Sequence, residues 1–148
     1  MKRGVAVVVI IGVAYLGFHL YQRSNGPDRA YKAFAEEMVH HRYDRAATMA
    51  DGLSADDLSK IGGLDPAMLQ TLFPSKFKIE TRQKAPDGTL TLGAVQTVLF
   101  NPPGVESAVR PAMYATMNQT VSLRKGSAGW KIIAFDSKVA RMDSLTSR

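Results

Sequence analysis

The chain begins with a basic tripeptide that is followed by a continuous apolar run. No residue from Gly4 to Leu20 carries a formal charge. A helix of this length that includes Tyr21 is about 26 to 28 Å long, which just reaches across a hydrocarbon core of roughly 30 Å. The pattern predicts a transmembrane anchor over residues 1–23. The residues predicted to face lipid are Val5, Val7, Val9, Ile10, Ile11, Leu16 and Phe18.

A cleaved signal peptide is the alternative interpretation of the same start. Gly12-Val13-Ala14 offers a small-x-small cleavage site, but cleavage there leaves an apolar core of about seven or eight residues. The run continues to Phe18, which favours a retained anchor. Positive charge is concentrated before the run, and this bias favours a bacterial inner-membrane protein with a cytoplasmic amino terminus and a periplasmic domain.

Short helices are predicted after the anchor. Residues 24–29 form a linker and helix cap, and apolar residues then recur at spacings of three and four, which is typical of an amphipathic helix over about 28–41. A second helix is predicted over 45–50. Ser54 and Asp57 resemble a capping box that begins a third helix. Asp65-Pro66 predicts a further helical turn that ends before Pro74.

Past Pro74 the period of the pattern changes to two, which indicates strands. The first is predicted around 77–82, and Ala85-Pro86-Asp87-Gly88 is typical of a turn into a second strand over about 89–100. A third strand is predicted around 113–123, and a turn at 125–129 leads to a fourth over 130–135. The sequence thus predicts an antiparallel sheet with one face available to the helices. The domain is predicted to span 30–137, and residues 138–148 are predicted to be a polar tail.

The order of these elements resembles the nuclear-transport-factor-2-like superfamily, also called the cystatin-like or cone fold. The likeness is carried by Ala30–Met38, by Tyr43–Met49 and by Gly129-Trp130-Lys131-Ile132-Ile133. The resemblance implies an α+β fold in which short helices, preceded here by the transmembrane helix, pack on a curved antiparallel sheet. It also implies a cavity that binds a ligand, carries catalysis or is filled. Because this superfamily includes membrane-anchored bacterial members, the resemblance further implies a domain that works by binding other proteins.

Composition narrows the chemistry. The chain has no cysteine, so it can form neither a disulfide nor a thiolate metal site. Its net charge of +6 is uneven: residues 27–75 hold five basic and eight acidic side chains, and residues 76–148 hold eleven basic and five acidic ones. Such asymmetry can orient a domain toward anionic lipid or an acidic partner, although solvated faces also produce it. Basic residues without interleaved aromatic ones do not predict nucleic-acid binding.

No residue pattern predicts a catalytic, cofactor or metal site. His40, His41 and Asp44 are the best candidates for a metal or acid–base site, but adjacent histidines on a helix point about 100° apart, so a solvated helix end is the favoured interpretation. The side chains that could move a proton inside a cone are Tyr31, Tyr43, Tyr114 and Asp136. None has a partner at a spacing that indicates a catalytic pair.

A partner or ligand surface is predicted from two features of the strands. Methionines on one strand face offer an adaptable apolar surface, and basic residues on the first strand offer charge, although core packing and protection of an edge strand explain the same features. The candidate residues of this surface are Met113, Met117, Tyr114, Lys78 and Arg82.

The sequence therefore predicts a non-catalytic, single-pass membrane protein. Its α+β domain is expected to be an accessory or scaffolding subunit of a larger secretion, respiratory or photosynthetic complex. The expected partners are other membrane-protein subunits and the lipid bilayer, with no cofactor and no nucleic acid. Two alternatives remain open: a tethered binder of a lipid or small apolar ligand, and a cone-fold lyase or isomerase.

Overall fold

The described part of the chain is a four-stranded antiparallel sheet preceded by short helices. A computed structural model describes residues 26–61, 63–66, 72–102 and 110–145, together with Val13 and Leu16. The helices are α1 (Pro27–Val39), α2 (Tyr43–Thr48) and α3 (Ala55–Ser59). The strands are β1 (Lys76–Lys84), β2 (Leu90–Phe100), β3 (Met113–Gly126) and β4 (Gly129–Ser144). They pair in the order β1-β2-β3-β4, so each strand lies beside its neighbour in sequence.

The predicted fold class, with its leading transmembrane helix, is wrong. No helix among the described residues is long and apolar enough to cross a membrane. The longest, α1, has 13 residues and is about 20 Å long, well short of a hydrocarbon core of roughly 30 Å. The predicted inner-membrane, single-pass localisation with a periplasmic domain depended on such a helix and has no support.

The residues that were predicted to face lipid fall mostly outside the described residues. Leu16 is described as helical, with 61% of its surface exposed. A run of about 17 apolar residues is at the lower limit for a membrane span, and an apolar pattern of that length does not separate a span from a segment that packs on protein. Outside the described residues lie Val5, Val7, Val9, Ile10, Ile11 and Phe18.

Helix α1 follows the predicted amphipathic pattern. Gly26 is its extended N-cap, and Pro27 occupies the first turn, where its missing N–H group is not needed. The helix ends at Val39, two residues before the predicted end, because His41 has a left-handed φ of 57° that the helix cannot continue through. The buried face of the helix consists of Tyr31, Phe34, Ala35, Met38 and Val39.

The core lies between the helices and one face of the sheet. The ring of Phe34 packs edge to face on Phe135 with centroids 5.0 Å apart, and that of Tyr31 packs on Phe77 at 5.6 Å. Such pairs are favourable beyond the apolar area that they bury. Residues of β2, β3 and β4 complete this core from below the helix; they are Leu92, Ala94, Val121, Leu123 and Ile132.

Two predictions that rest on local rules are confirmed. Ser54 Oγ accepts a hydrogen bond from the Asp57 N–H group at 3.1 Å, and Asp57 Oδ2 accepts one from the Ser54 N–H group at 3.0 Å, which is the predicted capping box. The predicted turn at Ala85–Gly88 connects β1 to β2, with Gly88 donating to the Ala85 carbonyl at 3.0 Å and adopting a φ of 87°. Of the helical turn predicted before Pro74, residues 67–71 lie outside the described residues.

Strand β4 is longer than predicted. It continues to Ser144, so most of the residues predicted to be a polar tail from 138 onward are paired with β3. Two register shifts interrupt the pairing of β3 with β4, one at Thr116/Met117 and one at Ser122/Leu123. Each shift inserts an extra residue and breaks the period of two, which hides the strand from pattern analysis.

Candidate binding surfaces

A buried polar network connects helix α1 to the sheet. Tyr31 Oη donates to Gln119 Oε1 at 2.6 Å, and Gln119 Nε2 donates to Gln96 Oε1 at 2.8 Å and to Ser137 Oγ at 3.2 Å. Gln96 Nε2 donates in turn to Ser75 Oγ at 3.0 Å. Gln96 is on β2 and Gln119 is on the adjacent strand β3, so the pairing of these two strands holds the two side chains together. Buried polar groups are tolerated only when they are paired, and these are paired with one another.

The interior beside this network is nearly filled. A cavity of about 20 Å³ is lined by Gln96, Gln119 and Ser137 on the polar side and by Met117 and Phe135 on the apolar side. That volume holds about one water molecule. A lipid or a drug-sized substrate needs about 300 Å³ or more, so this cavity does not accommodate one.

Burial of Tyr31 predicts a loss of stability at alkaline pH. Its side chain is fully buried, and burial raises the pKa of Tyr31 above the ordinary value of 10.0. Above that pH the unfolded chain releases the phenolic proton while the folded chain keeps it. The free energy of unfolding should therefore fall by about 1.4 kcal/mol in total from this group between about pH 9 and 11, with most of the fall above pH 10. Urea unfolding at about pH 9, 10 and 11 measures the slope. In Tyr31→Phe that share of the slope should vanish, and an unchanged slope in the variant would contradict the assignment.

The four candidates for proton transfer do not converge. Tyr31 is in the buried network and Tyr43 lines the small cavity. Tyr114 lies on the opposite face of the sheet, where Tyr114 Oη donates to Asp143 Oδ2 at 3.2 Å. Asp136 is also on that face, next to Lys138, with 65% of its side chain exposed. The described side chains therefore bring no two of these candidates together as a proton donor and acceptor.

The histidines do not converge on a metal site. His40 Nε2 lies 3.6 Å from Glu36 Oε2, and the ring of His41 stacks on Tyr43 with centroids 5.5 Å apart. Neither arrangement includes Asp44. Among the described residues, no group of three or more histidine, aspartate or glutamate side chains could hold a metal ion.

The residues of the predicted partner surface are distributed over three places. Met117 is buried at 3% exposure and Met113 packs beside it, so both belong to the core. Tyr114 is on the other sheet face. Lys78 and Arg82 are on edge strand β1, where Lys78 pairs with Glu80 at 3.3 Å and Arg82 pairs with Asp28. The prediction that these residues bind a partner stays a prediction.

An open groove lies where the first turn of α1 faces the turn between β3 and β4. It encloses about 1060 Å³. One wall is helical and includes Arg29, Ala30 and Ala33. The other is the hairpin tip, with Lys125, Trp130 and Lys131 around the turn of Gly126-Ser127-Ala128-Gly129. We call this the basic groove.

The lining of the basic groove has one sign of charge. Arg29, Lys125 and Lys131 contribute positive charge, and no acidic side chain is among the described residues that line it. Asp28 is the acidic residue nearest in sequence, but it pairs with Arg82 in a neighbouring depression. Lys131 Nζ donates to the Thr48 carbonyl at 2.8 Å, which fixes its ammonium group at the rim. A cleft with charge of one sign attracts anionic groups.

The sequence contains one signal for this groove. Trp130 is the only tryptophan of the chain and adjoins Lys131, but the sequence pattern assigned both to the start of the predicted fourth strand. Arg29 lies about a hundred residues away, and only the fold brings it opposite the hairpin.

Comparison with protein-family models, with curated proteins and with solved structures found no match. The resemblance to the nuclear-transport-factor-2-like superfamily therefore stays a prediction.

Proposed function

We propose that the chain is a non-catalytic protein-binding module, an accessory or scaffolding subunit that holds an acidic segment of a partner protein in the basic groove. The observation that supports the proposal is the groove lining: three cationic side chains, no acidic side chain among the described residues, and a half-buried tryptophan. Tryptophan and arginine are the residues that most often dominate the free energy of protein association.

The groove has features that fit a peptide. It is open, so an extended segment can enter from the side, and its volume exceeds that of most small-molecule pockets. Its lining includes the apolar side chains of Trp130, Met49, Ala30 and Ala33, which give an apolar residue of the partner a place to pack. Lys125, Lys131 and Arg29 line the same groove, where glutamate or aspartate of the partner would meet them.

The alternatives have weaker support. Pockets for a lipid or small apolar ligand have volumes of about 300 Å³ or more, and the cavity beside the buried polar network has about 20 Å³. A lyase or isomerase needs a proton acceptor beside its substrate, and Tyr31 keeps its proton because burial raises its pKa. The cationic lining of the basic groove does not favour an apolar ligand.

Trp130 provides a direct measurement. Because it is the only tryptophan, its fluorescence reports on the groove alone. The probe is a synthetic peptide of glutamates around one central phenylalanine. We expect it to shift the emission of Trp130, and we expect Lys125→Glu to weaken its binding about tenfold, which corresponds to about 1.4 kcal/mol. Affinity should also fall as salt is raised from about 50 to 500 mM, because exposed charges are screened.

The matched control is Lys76→Glu. Lys76 is an exposed lysine at the far end of β1, so the substitution changes net charge by the same amount away from the groove. Equal weakening by both variants would attribute binding to net charge and not to the groove. A peptide in which glutamines replace the glutamates should bind more weakly by at least tenfold. No emission change with the acidic peptide at low salt would contradict the proposal.

A further inference from the structure

The exposed apolar side chains of the domain are concentrated at one place. Among the described residues from Gly26 onward, the large hydrophobic residues with substantial exposure are Val139 at 40%, Met142 at 41% and Leu145 at 46%. All three lie in or directly after the second half of β4. Val139 and Met142 are opposite Met117 and Ala115 of β3, so they extend the core face of the sheet beyond the part that the helices cover.

The outer edge of β4 is covered in its first half. The Ile132 N–H group donates to the Met49 carbonyl at 3.1 Å, and the Ile132 carbonyl accepts from the Asp51 N–H group at 2.8 Å. Among the strands that the structure describes, none lies beside β4 on its outer side. Among the described residues, the pairing found on this outer edge is the one at Ile132. We call the segment Ser137–Asp143 beyond it the β4 edge.

The other edge of the sheet differs. Strand β1 carries lysines at 76, 78 and 84 and Arg82, and its apolar side chains Phe77 and Ile79 pack against the core. Lysine on an edge strand is a common protection against pairing with another chain. The β4 edge has no such concentration of one charge, so it is the edge that can pair.

The charges along β4 are ordered for a partner with the same sequence. Asp136, Lys138, Arg141 and Asp143 lie on the outer face, where Lys138 pairs with Asp136 and Arg141 with Asp143 of the same strand, and the four charges sum to zero. In an antiparallel arrangement centred between Ala140 and Arg141, Lys138 is opposite Asp143 of the second copy. Val139 is then opposite Met142 of the second copy, and twofold symmetry repeats both contacts. Opposite charges and apolar side chains that are directly across from each other stabilise a strand pair.

A competing register is blocked. Placing Asp136 opposite Arg141 of the second copy would bring Leu145 of that copy against Ile132. The outer edge at Ile132 already bonds to Met49 and Asp51. The register with Lys138 opposite Asp143 stays within the open part of the strand.

We propose that the chain forms a twofold dimer by antiparallel pairing of its β4 edge with the β4 edge of a second copy, which joins two four-stranded sheets into one of eight strands. The partner is a second copy because the β4 edge is complementary to itself in the register described above, where Lys138 meets Asp143 and Val139 meets Met142 of the other chain. The proposal uses a surface separate from the basic groove, which stays open at the opposite end of the β3–β4 hairpin.

Sedimentation velocity of the full chain tests the proposal over about 1 to 500 µM, since a short edge interface gives a weak dimer. We expect Asp143→Lys to weaken dimerisation at least tenfold, because two lysines then face each other on both sides of the axis. The charge exchange Lys138→Asp with Asp143→Lys should restore the dimerisation constant to within about threefold of the unchanged chain. Lys78→Asp, on the other edge strand, is the control and should leave dimerisation unchanged.

A cross-link tests the register. The chain has no cysteine, so an introduced cysteine is its only thiol and any disulfide must join the same position of two copies. Ala140 and Ala134 are both exposed residues of β4. Ala140→Cys places two thiols beside the twofold axis and should give a disulfide-linked dimer on oxidation. Ala134→Cys separates them by on the order of 40 Å and should not.

Three results would overturn the proposal. The first is a chain that stays monomeric at every concentration. This includes the case in which another part of the same chain covers the β4 edge and protects it from hydrogen exchange. The second is a dimerisation that Asp143→Lys weakens and that the charge exchange of Lys138 and Asp143 does not restore. The third is equal cross-linking of the two cysteine variants. Circular dichroism of each variant ensures that the compared chains are folded.

Discussion

Replacing Gln119 by leucine is expected to lower the free energy of unfolding by about 3 to 5 kcal/mol. The amide of Gln119 accepts from Tyr31 and donates to Gln96 and to Ser137, and all four residues are buried. Leucine fills nearly the same space but leaves three side-chain atoms without this partner: the Tyr31 hydroxyl, the Gln96 Oε1 oxygen and the Ser137 hydroxyl. Each unpaired buried group costs about 1 to 3 kcal/mol. Urea unfolding followed by circular dichroism measures the change.

A double-mutant cycle separates the lost hydrogen bond from lost packing. Tyr31→Phe removes the hydroxyl that donates to Gln119, so the combined variant Tyr31→Phe with Gln119→Leu no longer leaves that hydroxyl unpaired. The combined variant should therefore lose less free energy of unfolding than the sum of the two single variants, by about 1 to 2 kcal/mol. Strict additivity would show that the 2.6 Å contact between Tyr31 and Gln119 makes no independent contribution.

The polar network could have been suspected from the sequence. Gln119 lies between Met117 and Val121 on the apolar face of its predicted strand, and Gln96 lies between Ala94 and Val98 in the same way. A polar residue at a position whose neighbours on both sides point into the core has to find a partner there. Which partner it finds was not predictable, because Tyr31 is 88 residues away from Gln119 in the chain.

Local rules predicted local structure well. The capping box at Ser54 and Asp57 and the turn at Ala85–Gly88 each depend on residues within one turn of the chain, and the structure contains both. The end of α1 and the length of β4 depended on features without a strong sequence signal. These are a left-handed histidine and two extra residues within a paired strand.

The two proposed binding surfaces are formed by the fold and not by a local sequence pattern. The basic groove joins Arg29 to a hairpin around residue 127, and the β4 edge is open because the meander ends there. The predicted partner surface instead grouped Met113, Met117 and Tyr114, which adjoin in sequence but point to different faces or into the core. The transmembrane prediction had a related weakness, since an apolar run shows that a segment avoids water but not what it packs against.

Phe34→Ala is expected to lower the free energy of unfolding by about 3 to 5 kcal/mol, because it removes a fully buried ring and leaves a cavity under α1. For a domain whose total stability is about 5 to 15 kcal/mol, this is a large fraction. Phe34 also fixes α1 to β4 through its contact with Phe135. Since Arg29, Ala30 and Ala33 of α1 form one wall of the basic groove, we expect the acidic peptide to bind the variant more weakly as well.

Phe34→Leu is the matched variant, because it keeps most of the apolar volume and loses the aromatic edge contact. Its expected loss is about 1 to 2 kcal/mol, with near-normal emission of Trp130. If the alanine variant does not fold, the leucine variant still carries the measurement. A leucine loss as large as the one expected for alanine would show that the ring contact with Phe135 contributes more than burial does. Equal peptide affinity in a folded Phe34→Ala chain would show that the groove does not depend on how α1 is held against the sheet.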